Sequence, residues 1–223
     1  MPSSLYLTNL VVKMTASVLA AIASILFAKE YRKTKYPHTF WFSAGFFVAS
    51  LAVLCQFLSV LFNSPEFYYA SVYLLFVGLL MANFVVDFVS KESVEPIKMF
   101  VLGGLLVFIV FTAQQPDSVV TTFQWTEGDP YETASQGLYR ISFGLVGLSY
   151  GALFFVYFTR ISLEAPKHLQ YWANMNLAGA FVMSVMPFFA LLLDWTKYIP
   201  GISQIFFGIG AMMISFSFTK APK

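Results

Sequence analysis

Residues 7–27 read LTNLVVKMTASVLAAIASILF, with Lys13 as the one charged side chain among them. A helix rises about 1.5 Å per residue, so roughly 20 such residues cross the hydrocarbon core of a bilayer. Hydrophobic residues make up 58% of the chain and charged residues 11%, which is typical of membrane proteins. The sequence therefore predicts an all-α integral membrane protein, a seven-transmembrane helix bundle. Its predicted spans are 7–27, 40–62, 67–88, 99–113, 138–158, 171–193 and 199–218.

Lysine and arginine are concentrated in alternate loops, which predicts how the bundle is oriented. Because cytoplasmic loops carry the excess of these cations, the N-terminus is expected outside and the C-terminus in the cytoplasm of a plasma-membrane protein. The net charge of +2 follows from the same bias and indicates no nucleic-acid partner. The cations assigned to the cytoplasmic side are Lys29, Arg32, Lys33, Lys35, Lys91, Lys98, Arg160, Lys167, Lys220 and Lys223. The acids assigned to the outer side are Glu66, Asp117, Glu127, Asp129, Glu132 and Asp194.

The connections between the predicted spans are short except for one, so the chain is expected to form a single domain, 1–223. Residues 114–137 contain Pro116, Gly128 and Pro130 together with four acids, and they are expected to form an outer acidic loop. The second and sixth predicted spans share a weak internal similarity, since residues 45–50 read GFFVAS and residues 179–184 read GAFVMS. This similarity is consistent with two three-helix repeats, spans one to three and five to seven, joined by the fourth span in a 3+1+3 arrangement. The alternative is chance resemblance between apolar helices.

Polar residues near the outer side form what we call the first polar layer. Lys13 lies six residues inside its span and shares a helix face with Ala16 and Ser17, which favours a buried side chain. These residues are candidates to bind an anionic or carbonyl-bearing ligand from the outer side. The alternative is that Lys13 snorkels or pairs with an acid, while the glutamines bond to backbone or to each other. The candidate ligand-binding residues are Lys13, Gln56, Arg140, Asp194 and Gln204.

A second polar layer is predicted toward the cytoplasm, formed by Asn83, Asp87, Asn174 and Asn176. Asparagines in a membrane hydrogen-bond across helices, and Asp87 precedes Lys91 by one helical turn. A structural role is the favoured interpretation of this layer.

Several site chemistries have no support in the residues. His38 and His168 stand at the membrane interface without companion ligands, and Cys55 is the one cysteine, so no metal, haem or other cofactor is expected. Nor does a serine, histidine and acid set suggest hydrolysis. The seventh span has no lysine to bind retinal. The chain is therefore expected not to be an enzyme.

Several features of the later part of the chain occur together: a fifth span ending at Arg160, the basic turn 166–168, Pro187 within the sixth span, the turn 199–201 and a last span ending at Lys220. In this pattern the chain resembles the seven-transmembrane N-terminal sensor region of membrane histidine kinases. The resemblance implies a sensor that passes a helix displacement to a cytoplasmic partner. The kinase part has no counterpart in these 223 residues.

Three functions remain open on this basis. The first is a receptor-like sensory or ligand-binding module that signals to a separate cytoplasmic partner. The second is a small-solute transporter of 3+1+3 architecture. The third is an accessory or structural subunit that binds membrane proteins in a larger complex. Lipid bilayer surrounds the protein in all three.

Overall fold

A computed structural model describes residues 3–91, 96–114, 121–123, 132–134, 137–193, 195 and 198–221. At residues 83, 86–91, 98, 99 and both strands it describes the backbone alone. The helices are α1 (Ser4–Thr34), α2 (Pro37–Phe62), α3 (Pro65–Lys91), α4 (Pro96–Ala113), α5 (Gly137–Glu164), α6 (Gln170–Ser184), α7 (Met186–Leu192) and α8 (Ile202–Lys220). The strands are β1 (Thr121–Phe123) and β2 (Glu132–Ala134), and a 3₁₀ turn spans Lys167–Leu169.

Six described helical segments are long and apolar enough to cross a membrane, which confirms an all-α, multi-pass membrane bundle. They are Ser4–Thr34, Pro37–Phe62, Pro65–Ala82, Gly137–Glu164, Lys167–Leu192 and Ile202–Lys220. The remaining predicted span, the fourth (99–113), corresponds to α4, whose apolar part is the shorter segment Phe100–Ala113. Large apolar side chains such as Phe100 and Val11 are exposed at 84% and 65%, as expected where a bundle faces lipid.

Local sequence determines where these helices begin and end. The Ser3 hydroxyl oxygen accepts a hydrogen bond from the Tyr6 backbone N–H at 3.2 Å and caps α1. Pro37 and Pro65 open α2 and α3, where the missing proline N–H costs no helical hydrogen bond. Asn63 ends α2 at φ 50°, a left-handed conformation that asparagine tolerates. Gly201 adopts φ 68° before α8.

The predicted sixth span is divided in two beside Pro187. Its first part, α6, ends at Ser184, and α7 begins at Met186. Val185, between them, has φ −109° and ψ −52°. Proline removes one backbone donor and clashes with the preceding turn, which accounts for the break.

The helices form a closed ring. In order, α1 packs on α2, α2 on α3, α3 on α5, α5 on α6 and α7, and these on α8, which returns to α1. Helix α4 packs on α3 and α5, and the Tyr150 hydroxyl ties it to α5 by donating to the Leu102 carbonyl at 3.2 Å. We call α1–α3 the first half of the ring and α5–α8 the second half.

Reciprocal serine hydrogen bonds join α1 to α2. Ser17 Oγ donates to the Ser50 carbonyl at 3.0 Å, and Ser50 Oγ donates back to the Ser17 carbonyl at 2.9 Å. Ser24 and Ser43 repeat this exchange at 2.8 and 3.0 Å. The small side chains bring the two backbones close enough for side-chain hydroxyls to reach carbonyls across the helices.

Glycines join the helices of the second half. A Cβ added to Gly151 would overlap the Ser184 carbonyl, and one added to Gly147 would overlap the Phe188 ring. Gly179 of α6 meets Gly210 of α8 in a similarly close contact. These positions therefore need glycine for close approach of backbones.

Two hydrophobic clusters fill the bundle. The first lies among α3, α4, α5 and α7 and contains Tyr68, Val72, Phe76, Leu102, Ile109, Ala113, Tyr139, Phe143, Val146, Tyr150 and Phe188. The second lies toward the end of the bundle where α8 finishes and contains Ala23, Phe27, Phe42, Phe46, Val85, Phe154, Phe158, Ala180, Ala211 and Ile214.

The predicted outer loop, 114–137, contains a short hairpin in its described part. Strand β1 pairs antiparallel with β2, with Thr122 opposite Thr133. Strand β2 also contacts α2.

Candidate ligand-binding cavity

A cavity of about 200 Å³ lies inside the ring. Its walls come from both hydrophobic clusters, including Tyr68 and Phe143 of the first and Phe42 and Phe154 of the second. Helices α1, α2, α3, α5, α6, α7 and α8 all contribute side chains, and the backbone of Gly201 before α8 also lines the cavity. The cavity therefore separates the two halves of the ring along the middle of the bundle.

Four of the five predicted ligand-binding residues line this one cavity. They are Lys13 of α1, Gln56 of α2, Arg140 of α5 and Gln204 of α8. Each half of the ring thus supplies one cation and one amide. The fifth, Asp194, lies outside the described residues.

Lys13 is buried, with a relative exposure of 3% for the whole residue. This agrees with the predicted inward face, because Ala16 and Ser17 on the same face are buried too. The neighbouring Val12 contacts Gly201, so α1 is packed against the turn that opens α8. A lysine held in this way inside a membrane bundle is typical of a functional site.

The charged and amide groups among the described lining residues are gathered at one end of the cavity, where α1 and α8 begin and α2 ends. Gln204 Nε2 donates a hydrogen bond to Gln56 Oε1 and so joins the two halves directly. Ser203 Oγ donates to the Pro187 carbonyl at 3.2 Å, which fixes α8 beside the broken helix. We call this the polar end of the cavity.

The rest of the cavity is an apolar shaft. Along α2, its lining passes from Gln56 through Val53, Ala49, Phe46, Gly45 and Phe42 to Trp41. The spacing of three and four residues places these side chains on one helix face. On α3 the lining runs the opposite way, from Tyr68 through Leu75, Gly78, Leu79 and Ala82 to Val85. The floor of the shaft is aromatic, since Phe42 packs against Phe154 at a centroid distance of 6.3 Å.

The second polar layer serves helix packing where it is described. Asn174 Oδ1 accepts hydrogen bonds from Ser162 Oγ at 2.6 Å and from Gln170 Nε2 at 3.0 Å. Asn176 Oδ1 accepts one from Ser217 Oγ, which joins α6 to α8. Neither asparagine lines the cavity. The side chains of Asn83 and Asp87 lie outside the described residues.

The part of the chain that the structure describes contains no group of three or more histidine, cysteine or acidic side chains able to hold a metal ion. Cys55 is a free, partly buried thiol on α2. The expected absence of a cofactor stays a prediction.

Sequence reasoning missed the aromatic lining of the shaft, notably Phe42, Phe143, Tyr150 and Phe207. Aromatic residues recur in every span, and lipid-facing and inward-facing positions are equally apolar. The signal that was present is the series of smaller residues Gly45, Ala49 and Val53 that follows Phe42 at helical spacing.

Comparison of the chain with protein families, with curated proteins and with solved structures found no match.

Proposed function

We propose that the chain is a receptor-like, non-enzymatic seven-transmembrane module that binds a small molecule in the cavity and signals to a separate cytoplasmic partner. The observation that carries this proposal is the gathering of Lys13, Gln56, Arg140 and Gln204 at one end of a central cavity. A mostly apolar cavity with a few convergent polar groups is the usual form of a small-molecule site.

The distribution of charge supports the proposed orientation. The described cations at the end of the bundle where α8 finishes are exposed: Lys29, Arg32, Lys33, Lys35, Arg160, Lys167 and Lys220. An excess of cations identifies a cytoplasmic surface. The cavity's polar end then lies toward the outside, and the basic surface is available to an acidic partner protein or to anionic lipid.

The broken helix provides a route from ligand to cytoplasm. Pro187 lines the cavity, and the break at Val185 separates α7, on the ligand side, from α6, which continues to the basic surface. A ligand that moves α7 changes the angle at this break. The resemblance to sensor regions of membrane histidine kinases favours the same direction of signalling.

Native mass spectrometry of the protein, extracted gently from its own membrane, tests the proposal. The expected spectrum contains a stoichiometric small-molecule adduct that Lys13→Leu removes and Lys29→Leu retains. Lys29 is the matched control because it is an exposed lysine on the same helix. A stable complex with another membrane chain and no adduct would instead indicate the accessory subunit.

A transporter of 3+1+3 architecture is the second candidate, and one observation favours it. The shift along the chain that relates Gly45 to Gly179 also relates Ser17 to Gly151 and Ser50 to Ser184. Ser50 Oγ donates to the Ser17 carbonyl at 2.9 Å, while Ser184 Oγ donates mainly to the Ala180 carbonyl of its own helix at 2.5 Å and lies 3.3 Å from the Gly151 carbonyl. A serine therefore approaches the equivalent position of the neighbouring helix in both halves, as internal repeats would place it.

Liposome flux separates the two candidates. The purified protein in liposomes is expected to bind the adduct found by mass spectrometry without accumulating it inside. Uptake that Lys13→Leu abolishes would favour the transporter.

A further inference from the structure

We infer that the cationic end of α1 binds the head group of an anionic phospholipid. The residues concerned are Lys29, Arg32, Lys33 and Lys35, which we call the α1 basic patch. This site is separate from the cavity, and its occupation requires neither the proposed ligand nor the proposed orientation. Three features of the patch support a lipid partner: its position on the helix, its charge and its aromatic neighbours.

The outward face of α1 is continuous from the hydrocarbon into the basic patch. Exposed apolar side chains recur on this face at intervals of three and four residues, so they form one stripe along the helix. They are Leu7, Val11, Met14, Val18, Ile22 and Ile25. Lys29 follows Ile25 by four residues and Arg32 follows it by seven, so both cations continue the stripe. In a membrane the molecules that cover this stripe are lipids, and their head groups lie next to the cations.

The depth of the patch matches the head-group layer. From Leu7 to Ile25 the stripe spans about 27 Å at the helical rise, close to the roughly 30 Å of a bilayer's hydrocarbon. Helix α1 continues to Thr34, so Lys29 lies about 6 Å beyond Ile25 along the helix axis. The head groups add about 5–8 Å on each side of the hydrocarbon. The long cationic side chains can therefore reach lipid phosphates.

The charge of the patch favours an anionic head group. Residues 29–35 contain four cations and one acid, Glu30. Lys33 Nζ lies 3.9 Å from Glu30 Oε2, and the Lys33 side chain is nevertheless 68% exposed. The other three cations are exposed as well. A cluster of exposed lysine and arginine beside a membrane-spanning segment attracts anionic lipids and forms charge-assisted hydrogen bonds to their phosphates.

Aromatic side chains border the patch on the side of α2. Lys35 Nζ lies 5.6 Å from the centroid of the Tyr31 ring, and this ring packs against Phe40 of α2 at a centroid distance of 5.5 Å. Tyr36 and Phe40 are exposed. Tyrosine is enriched where the hydrocarbon meets the head groups. The patch therefore belongs to the membrane interface, which favours a lipid over an acidic soluble protein as its partner.

Lipid exchange in nanodiscs of defined composition tests the inference. The full chain is placed in nanodiscs with equal amounts of phosphatidylglycerol and phosphatidylcholine of identical acyl chains, and the lipids that stay bound after gentle release are identified by native mass spectrometry. We expect at least about fivefold enrichment of phosphatidylglycerol, the effect of roughly one cation at an anionic membrane surface. Raising the salt from about 0.05 M to about 0.5 M before release should reduce this enrichment, because salt screens exposed charges.

A triple variant shows whether the patch is responsible. Lys29→Gln, Arg32→Gln and Lys33→Gln together remove the three cations of the patch that lie on α1. The enrichment of phosphatidylglycerol should then fall to within about twofold of unity, because each cation near the surface contributes to the attraction. The three side chains are exposed, so the variant should fold, and thermal unfolding checks this. If it does not fold, the salt dependence of the unaltered protein decides the test.

A second triple variant is the matched control. Arg160→Gln, Lys167→Gln and Lys220→Gln remove the same number of exposed cations from the same end of the bundle, but from α5, the 3₁₀ turn and α8. This variant should keep the enrichment. Equal retention of the two lipids by the unaltered protein, or equal losses in the two triple variants, would overturn the inference. A polyglutamate peptide that binds through the patch while phosphatidylglycerol shows no enrichment would overturn it too, in favour of an acidic partner protein.

The bound lipid and the cavity adduct are distinguished by their variants. The triple variant of the α1 basic patch should lose the enrichment of phosphatidylglycerol and keep the cavity adduct. Lys13→Leu should lose the cavity adduct and keep the enrichment. Failure of either result therefore leaves the other proposal standing.

Discussion

The two halves of the ring both pack helices through small residues, but the helices pack more closely at the glycines of the second half. In the first half, a Cβ added to Gly45 would lie 3.6 Å from the nearest side-chain atom, an ordinary contact. In the second half, a Cβ added to Gly179 would lie 2.9 Å from Met213 and Ile214, closer than real side chains approach. The first half is held by serine hydrogen bonds and has space at its glycines, whereas the second half is packed through glycine and interrupted at Val185.

This difference indicates that a displacement would occur in the second half, at the break between α6 and α7. Small-residue packing holds α5, α6 and α8 in fixed contact, and the proline break concentrates any displacement at the joint between α6 and α7. Each half contributes a cation and a glutamine to the cavity. A ligand bound between the halves would therefore contact both the first half, whose helices are joined by serine hydrogen bonds, and the second half, which contains the break at Val185.

The largest effect is expected at Gly151. Gly151→Ala places a methyl group against the Ser184 carbonyl, which side-chain rotation cannot relieve, so a loss of about 3 kcal/mol or of folded protein is expected. Yield and thermal unfolding in detergent measure it. Gly103→Ala is the matched control, since a Cβ there meets nothing within 4 Å. Equal stability of the two variants would contradict close helix packing in the second half.

The paired glycines should differ by a smaller amount. Gly179→Ala is expected to destabilise the protein by about 1–3 kcal/mol through overpacking. Gly45→Ala should be neutral or slightly stabilising, because alanine favours helix and the space accepts it. Unfolding of both variants in the same detergent makes the comparison. Equal losses would show that the halves are packed alike.

The reciprocal hydrogen bonds between Ser17 and Ser50 should contribute about 1 kcal/mol to the free energy of unfolding. Ser17→Ala with Ser50→Ala removes both interhelical bonds at that level, each worth roughly 0.6 kcal/mol on average in membranes. Ser149→Ala serves as control, because this exposed hydroxyl bonds within its own helix to Leu145. Thermal unfolding reports the difference, and identical midpoints for the double variant and the control would count against the serine contacts.

At Lys13, ligand binding is expected to respond more than folding. Lys13→Leu replaces a buried cation with an apolar side chain in an apolar bundle, so folded protein should still be obtained. The cavity adduct should nevertheless disappear from the mass spectrum. Loss of folded protein together with the adduct would make Lys13 a structural residue.

Much of the fold could be predicted from hydropathy, because a membrane imposes the length and polarity of each span. The helices extend beyond the spans, as α1 does to Thr34, since backbone hydrogen bonding continues outside the hydrocarbon. The fourth helix begins at Pro96 rather than at 99, where proline provides a favourable first turn. The hairpin of β1 and β2 was not predicted, because turn residues in 114–137 obscured any alternation.

The polar part of the site was more predictable than the apolar part. Charged and amide side chains are costly in lipid, so the sequence favoured an inward orientation for Lys13, Gln56 and Gln204. The shaft offered no such signal, because Phe42 facing the cavity and Phe40 facing outward are chemically the same residue. Only the ring order of the helices decides between them.

An experimental map of the protein, extracted from its own membrane and bound to an antibody fragment for size, would test the central claim most directly. We predict continuous density for a bound small molecule in the cavity, beside Lys13, Gln56, Arg140 and Gln204. A cavity closed by side chains, with the two halves in direct contact along its length, would contradict the account.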